Sequence, residues 1–270
     1  MLEYMRINEE TVRDTLAHSA YRFWSALRHQ YGMKFSWVKG LFALMSFIAE
    51  YQTYLKQSDN PNFRTSTGYL YPCLIDRTSQ TPVEPVYFFQ DTWAARKLFA
   101  LKPVHHFDIG SSAVTMGILS QFSPVTMIDL RPLDVSLENL SFQYGTILDL
   151  PFANDSIESL SSLCVIEHIG LGRYGDPLDS WGSEKAVKEL QRVLKPEGNL
   201  LISVPVDREC RVYFNAHRTF TRQYIIDLFD TLQLIEEQYI YGMNVQEDYD
   251  AERGFGTGLF HFRKPAQDCS

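Results

Sequence analysis

The stretch "HHFDIGSSAVT", residues 105–115, reads as a strand, a glycine turn and the start of a helix. Corners of this kind open the α/β domains that bind nucleotides at the carboxyl ends of their strands. Gly110 directly follows Ile109 and permits a tight turn or a positive φ. Ser111 and Ser112 offer backbone N–H groups and hydroxyls to a carboxylate or phosphate at the helix start. Such loops usually hold two or three glycines, and this one holds a single glycine. That leaves three readings: a cofactor loop built with serines, an eroded loop, or a plain structural corner.

Strands and helices alternate on from this corner. "VHHFDI" predicts the first strand, Val114 to Phe122 a helix, "VTMIDL" a second strand, and the region Ser141–Ile147 a third. "LSSLCVI" is a fourth strand. Ala186, Val187, Leu190 and Val193 mark a helix closed by "KPEG", and "NLLISVPV" is a fifth strand. Tyr224, Ile225, Leu228 and Phe229 mark another helix, with Thr219 or Thr221 as its cap. "LQLIEEQYIY" and "GLFHFRK" leave no room between them for a helical crossover, so they should pair antiparallel. The expected fold is α/β: a doubly wound, mostly parallel, seven-stranded Rossmann-like sheet covered on both faces.

Upstream, "FQDTWAARKLFALKP" predicts a helix capped by Asp91, with Trp93, Ala94 and Leu98 on one face and Pro103 at its end. Residues 58–88, rich in Ser, Thr, Asn and Pro, read as irregular. Residues 8–57 read as helices: Val12, Leu16, Phe23 and Leu27 recur at helical spacing, as do Leu41, Leu44, Met45, Ile48, Tyr51 and Leu55. Three parts are therefore expected: a helical extension over 1–60, a connecting segment over 61–88, and the α/β domain over 89–270. The helical stripes should pack on the core or on each other. A peripheral membrane contact through 35–56 and a homo-oligomer contact are the other roles open to them.

Composition narrows the function classes. The 25 basic and 33 acidic residues give a net charge of −8, which disfavours a nucleic-acid partner. Four scattered cysteines (Cys73, Cys164, Cys210, Cys269) form no CxxC and no framework, as expected of thiols in a reducing compartment. The start, "MLEYMRINEE", lacks a secretory pattern, and the apolar run 35–49 is short for a bilayer and contains Lys39. A cytoplasmic protein with no transmembrane segment is the expectation. His105 and His106 point to opposite faces of a strand, and no Cys/His spacing suggests zinc, so no metal is expected.

Nineteen residues after Gly110 the second strand ends in Asp129, followed by Leu130. An acid at that distance and place is what holds a ribose diol in nucleotide folds. Further on, "GTILDLPFANDSIESLSSLCVIEH" and "LQRVLKPEGNLLISVPV" resemble the later motifs of class I S-adenosylmethionine-dependent methyltransferases. The resemblance runs over about residues 90–263. It implies that Asp108 and Gly110 match the first motif and that Asp129 matches the ribose acid. It places Thr146 and Ile147 beside adenine, and Cys164 and Val165 under the transferable methyl. Ser112 and Val114 replace the second and third glycines, where their side chains would narrow the methionine end; Thr146 replaces a common acid and Glu158 an Asp. At finer grain "YPCLID", "FQDTWAARK", "IDLRPL", "VIEHIGLGRYGDPLD" and "FNAHR" resemble a methyltransferase-like family catalogued as a domain of unknown function. That resemblance implies a link to surface-polysaccharide pathways and names no substrate.

The loop "EHIGLGRYGDPLD" (167–179) follows the fourth strand, where chemistry is commonly mounted. His168 is the candidate general base, and Glu167 orients neighbours or the cofactor. Arg173 is a clamp for a carboxylate or phosphate, with a salt bridge to Asp176 or Asp179 as the plain alternative. Tyr174, Asp176, His217 and Arg218 complete the expected acceptor side. The leading expectation is methyl transfer by in-line displacement to an oxygen of a small-molecule or glycan-type acceptor. A methyltransferase-fold scaffold without turnover is the alternative. A nicotinamide dehydrogenase fails for want of GxGxxG, since the chain has "GSSAVT".

Overall fold

The computed structural model describes residues 37–267. They fall into two units that meet in sequence at Pro82 and Val83, each described by itself. In the first, helix α1 (Trp37–Gln57) precedes an irregular stretch with one short 3₁₀ turn, Thr67–Tyr69. Leu41, Met45, Ile48 and Leu55 of α1 are exposed. The stripe Val12–Leu27 lies outside the described residues. Among the described residues no helix is long and apolar enough to cross a membrane.

The second unit opens with α2 (Pro85–Leu101). Pro85 fits the first helical position because its missing N–H has no intrahelical partner there. The Glu84 carboxylate caps the helix by accepting from the Tyr87 amide at 2.7 Å. Asp91 is therefore not the cap. It lies a turn and a half inside the helix, and its carboxylate accepts from Thr115 Oγ1 at 2.8 Å. Lys102, in the left-handed region, ends the helix before Pro103.

Then come β1 (His106–Ile109), α3 (Ala113–Leu119), β2 (Val125–Asp129), β3 (Leu140–Tyr144) and β4 (Ile157–Leu163). α4 (Gly182–Val193), β5 (Leu194–Val206), the hairpin β6 (Arg211–Tyr213) and β7 (His217–Thr219), and α5 (Arg222–Leu228) follow. The chain closes with β8 (Gln233–Tyr241), β9 (Asn244–Gln246) and β10 (Gly256–Arg263). Thr221, not Thr219, caps α5 by accepting from the Tyr224 amide.

The main sheet runs β3-β2-β1-β4-β5-β10-β8-β9. Its first five strands are mutually parallel, and β10 is wedged antiparallel between β5 and β8. The expected antiparallel pairing of the last two long strands is present, and β9 adds an eighth, three-residue strand. Alternation is incomplete, since the crossovers from β2 to β3 and from β3 to β4 carry no helix.

Because side chains alternate across a strand, the sheet builds two cores. Leu160, Leu200, Ile202 and Val204 pack with Val187 and Leu190 of α4 and Ile225 of α5. Val125, Met127, Leu163 and Leu201 pack on the other face with Trp93 and Leu98 of α2 and Met116 and Leu119 of α3. The order reverses at β1, which is flanked by β2 and β4. Both outgoing loops bend apart there and leave a crevice beyond the carboxyl ends.

Candidate functional site

Gly110 directly follows β1 with φ +72°, and a Cβ there would stand 3.1 Å from Val165 Cγ1. Both the conformation and the close approach of the β4 loop require glycine. The serines do not face the crevice. Ser111 is buried; its hydroxyl donates to Asp108 Oδ2 at 2.6 Å and accepts from the Leu163 amide at 2.9 Å. Ser112 caps α3 by accepting from the Thr115 amide. Val114 is 75% exposed, so it does not narrow the approach as expected.

Asp108 turns inward as well. Its carboxylate takes the Ser111 amide and the hydroxyls of Ser111 and Ser161, and burial, resisted by these bonds, lifts it to about 6. It braces the turn and does not line the crevice, so Asp108, Ser111 and Ser112 hold the loop in shape from behind. His106, on the same side of β1, is buried between Ser159 and Ser161, and burial lowers it to about 3. His105 bonds to Thr126 instead, and among the described residues no cluster suits a metal ion.

An open cleft lies over the carboxyl ends of β1, β2 and β4. Gly110, Asp129, Leu130, Thr146, Ile147, Cys164, Val165, His168, Tyr174 and Asp176 line it, so the structure brings together ten residues expected from the sequence. Thr146 to Leu148 form a tight turn in which the Leu148 amide donates to Thr146 Oγ1. Gly145 opens it, since a Cβ there would stand 2.7 Å from Ile128 Cγ2.

Arg131 is the principal residue that sequence reasoning missed. Its backbone N–H, Nε and Nη2 all donate to the Asp129 carboxylate, at 2.8, 3.1 and 2.9 Å. Burial works against the ionised form, but the Arg131 bonds outweigh it and hold Asp129 below the usual carboxylate range. The Arg131 guanidinium also lies 4.7 Å over the Tyr174 ring. This cation–π contact joins the β2 loop to the β4 loop across the cleft. The signal was present in "IDLRPL", where a fork-shaped cation sits two residues after the acid.

The β4 loop begins at Cys164, which has φ +53°. Its thiol donates to Gln90 Oε1 of α2, and burial pushes it well above its ordinary value, so it lines the cleft as a neutral group. A short 3₁₀ turn, Ile166–His168, follows. His168 Nδ1 lies 2.6 Å from the Ala216 carbonyl, which only accepts, so this nitrogen carries the hydrogen and Nε2, 3.7 Å from Glu167 Oε1, keeps its lone pair. Burial, first of all, lowers the ring to about 4, so it is uncharged at neutral pH. Glu167 is 2% exposed, its Oε2 has no partner, and burial raises it to about 8. The two side chains stand 3.7 Å apart.

Asp176 staples the rest of the loop by accepting from the amides of Gly170, Gly172 and Tyr174. Its carboxylate is therefore used by the fold, although it borders the cleft. Arg218, expected to bind substrate, is 8% exposed and donates to the Ile169 and Asp179 carbonyls and to Ser183 Oγ. It anchors β7 to the loop and does not reach the cleft. Arg173 makes neither expected salt bridge: Asp179 pairs with Lys185, and Arg173 donates to the Ala216 carbonyl at 3.0 Å. His217 stands outside the cleft lining, between the rings of Tyr213 and Phe255.

Residues 145–252 match the family model described as Caenorhabditis protein of unknown function, DUF268. The matched segment starts at the cleft turn and includes the β4 loop and the hairpin, while "YPCLID", "FQDTWAARK" and "IDLRPL" fall before it. No curated protein matches the chain. Among solved structures, a Galdieria sulphuraria protein provisionally assigned as a sarcosine dimethylglycine methyltransferase is 15% identical, with TM-score 0.50 over 66% of this chain and 86% of its own. The 1,6-didemethyltoxoflavin-N1-methyltransferase of Burkholderia thailandensis, with S-adenosylhomocysteine bound, is 16% identical, with TM-score 0.48 over 70% and 93%. The N-methyltransferase NodS of Bradyrhizobium japonicum is 16% identical, with TM-score 0.46 over 80% and 98%. At 15% identity the likeness to the Galdieria sulphuraria protein is one of fold: the chain carries a Rossmann-like α/β fold.

Proposed function

We propose that this chain, with a Rossmann-like α/β fold and a DUF268 segment, transfers a methyl group from S-adenosylmethionine to an oxygen of a small-molecule or glycan-type acceptor. One observation carries the reading. The half-buried Asp129 carboxylate, held ionised, faces the same cleft as the glycine cradle at Gly110 and the apolar turn at Ile147. A nucleoside needs these three things: an acceptor for its ribose hydroxyls, close backbone approach, and an apolar wall for its base. In this reading Asp129 and Leu130 hold the ribose, Thr146 and Ile147 border the base, and Gly110, Cys164 and Val165 give the remaining contact. When bound, S-adenosylmethionine supplies a methyl group on a sulfonium sulfur.

The residues of this chain align the acceptor and remove its proton. His168 Nε2 is the unprotonated base at the cleft wall, its ring fixed by the Ala216 carbonyl. A weak base suffices, because a hydroxyl becomes strongly acidic only as its new C–O bond forms. Glu167, protonated and buried beside it, adds no charge that would hold His168 as an imidazolium. Arg173 and Tyr174 orient the acceptor from the loop.

The test is methyl transfer itself, with isotopically labelled S-adenosylmethionine and a panel of sugars and sugar nucleotides. The expected result is label on an acceptor oxygen, with turnover reduced at least about 100-fold in His168→Ala. Stoichiometric cofactor binding with no acceptor labelled would instead favour the scaffold reading.

A further inference from the structure

Between β5 and α5 the chain inserts the hairpin β6–β7, and the tip of the hairpin is tied to the β4 loop. The Ala216 carbonyl accepts from both His168 Nδ1 and Arg173 Nη1. The hairpin therefore stands beside the proposed base. A row of rings runs from the hairpin to Phe255, just before β10: the centroids of Tyr213 and His217 are 5.2 Å apart, and those of His217 and Phe255 5.7 Å, with tilts of 39° and 52°. Tyr213 and Phe255 remain 42% and 54% exposed, so the row is not core.

Arg173 is close enough to His217 to lower its basicity, second only to burial. Among the described residues Arg173 makes no ion pair. Asp176 is taken by backbone amides and Asp179 by Lys185, while burial keeps Glu167 neutral. The one bond of the Arg173 guanidinium goes to an uncharged carbonyl, and its face lies 5.1 Å from the Tyr174 ring. In a protein of net charge −8, an unneutralised guanidinium beside a cleft marks a local preference for an anion. Its fork matches a carboxylate or a phosphate. The tilted rings offer no parallel pair to sandwich a planar base. Their π faces, which carry negative charge density, suit the polarised C–H face of a saturated ring.

Resting on the methyltransferase reading, we infer that Tyr213, His217 and Phe255, with Arg173 beside them, form the acceptor subsite and take the ring of an anionic sugar. The carboxylate or phosphate of the sugar pairs with Arg173, and a hydroxyl of the same ring is presented to His168. The sugar thus spans the hairpin and the cleft.

The experiment is saturation-transfer NMR on the full chain with methyl glucuronide, glucose 1-phosphate, methyl glucoside and inorganic phosphate, with and without S-adenosylhomocysteine. The variants are Arg173→Gln, Arg173→Lys and the double change Tyr213→Ala/Phe255→Ala, each checked by thermal melting. The expected result is that at least one anionic sugar binds about tenfold or more tightly than methyl glucoside. Whether the glucuronide or the sugar phosphate leads identifies the anion. Arg173→Gln should abolish the preference, Arg173→Lys should keep part of it, and the double variant should lose saturation of the ring protons.

Equal binding of neutral and anionic sugars would overturn the inference, as would a preference that survives Arg173→Gln. Inorganic phosphate binding as tightly as glucose 1-phosphate would also overturn it, because the rings would then contribute nothing. Binding of S-adenosylhomocysteine, followed separately, tells the two readings apart. Bound nucleoside without the sugar preference refutes the subsite alone, and the sugar pattern without bound nucleoside refutes methyl transfer alone.

Discussion

In the short turn after β4, burial lifts the Glu167 carboxyl to about 8 and lowers the His168 imidazole to about 4. Near neutral pH the acid therefore keeps its proton and the base has none. An unfolded glutamate ionises near its ordinary value of 4.5. The stability contributed by this group is thus full below that value and is lost as pH rises to about 8. Glu167→Gln should flatten that part of the profile: between pH 5 and 8, wild type should lose about 1 kcal/mol or more that the variant keeps, read from urea midpoints. Turnover carries the second signature. If His168 is the base, the acid limb of the rate profile should lie well below 6.5, displaced toward about 4, whereas a limb at an ordinary imidazole value would point to another group. Neither shift was legible in "EH". Adjacency in sequence says nothing about how deeply each side chain is buried.

At the scale of elements, the β1 corner and the β4 loop shape the cleft together. Gly110→Ala would force an alanine into positive φ and against Val165, at a cost of about 1–3 kcal/mol in stability, measurable by denaturant unfolding. The single glycine is the one the turn needs. Ser112 heads α3 as its cap and Val114 points outward, so neither position calls for glycine. Arg218 ties β7 to the loop through two carbonyls and a hydroxyl. Arg218→Met should cost about 2 kcal/mol by leaving those acceptors buried and unpaired, and should speed proteolysis within 169–179. The strands β1 to β5, β8 and β10 were legible as short apolar runs between turns, and the helices α2, α4 and α5 because their apolar positions recur near period 3.6. The hairpin β6–β7 was not, because "RVYFNAHRT" is exposed on most of its length and carries no core pattern. The roles of Arg218 and Asp176 were misread for a related reason, since a loop charge reads the same whether it faces a ligand or its own backbone.

Across the whole molecule, the reversal of strand order at β1 sets the site. It brings the ends of three strands that are far apart in sequence to one cleft, at Gly110, Asp129 and Cys164. Sequence spacing located that convergence, because an acid at the end of the second strand has one place to go in a doubly wound sheet. It did not reveal Arg131, whose grip on Asp129 depends on the conformation of the β2 loop. The most direct measurement is calorimetric titration of S-adenosylhomocysteine into the wild-type chain and into Asp129→Ala, with both proteins shown to be folded. The expected result is one-to-one binding to wild type, weakened in the variant by roughly 1–3 kcal/mol, the cost of leaving the ribose hydroxyls without their acceptor. Failure of folded wild-type protein to bind, or binding that Asp129→Ala leaves unchanged, would contradict a nucleoside site in this cleft.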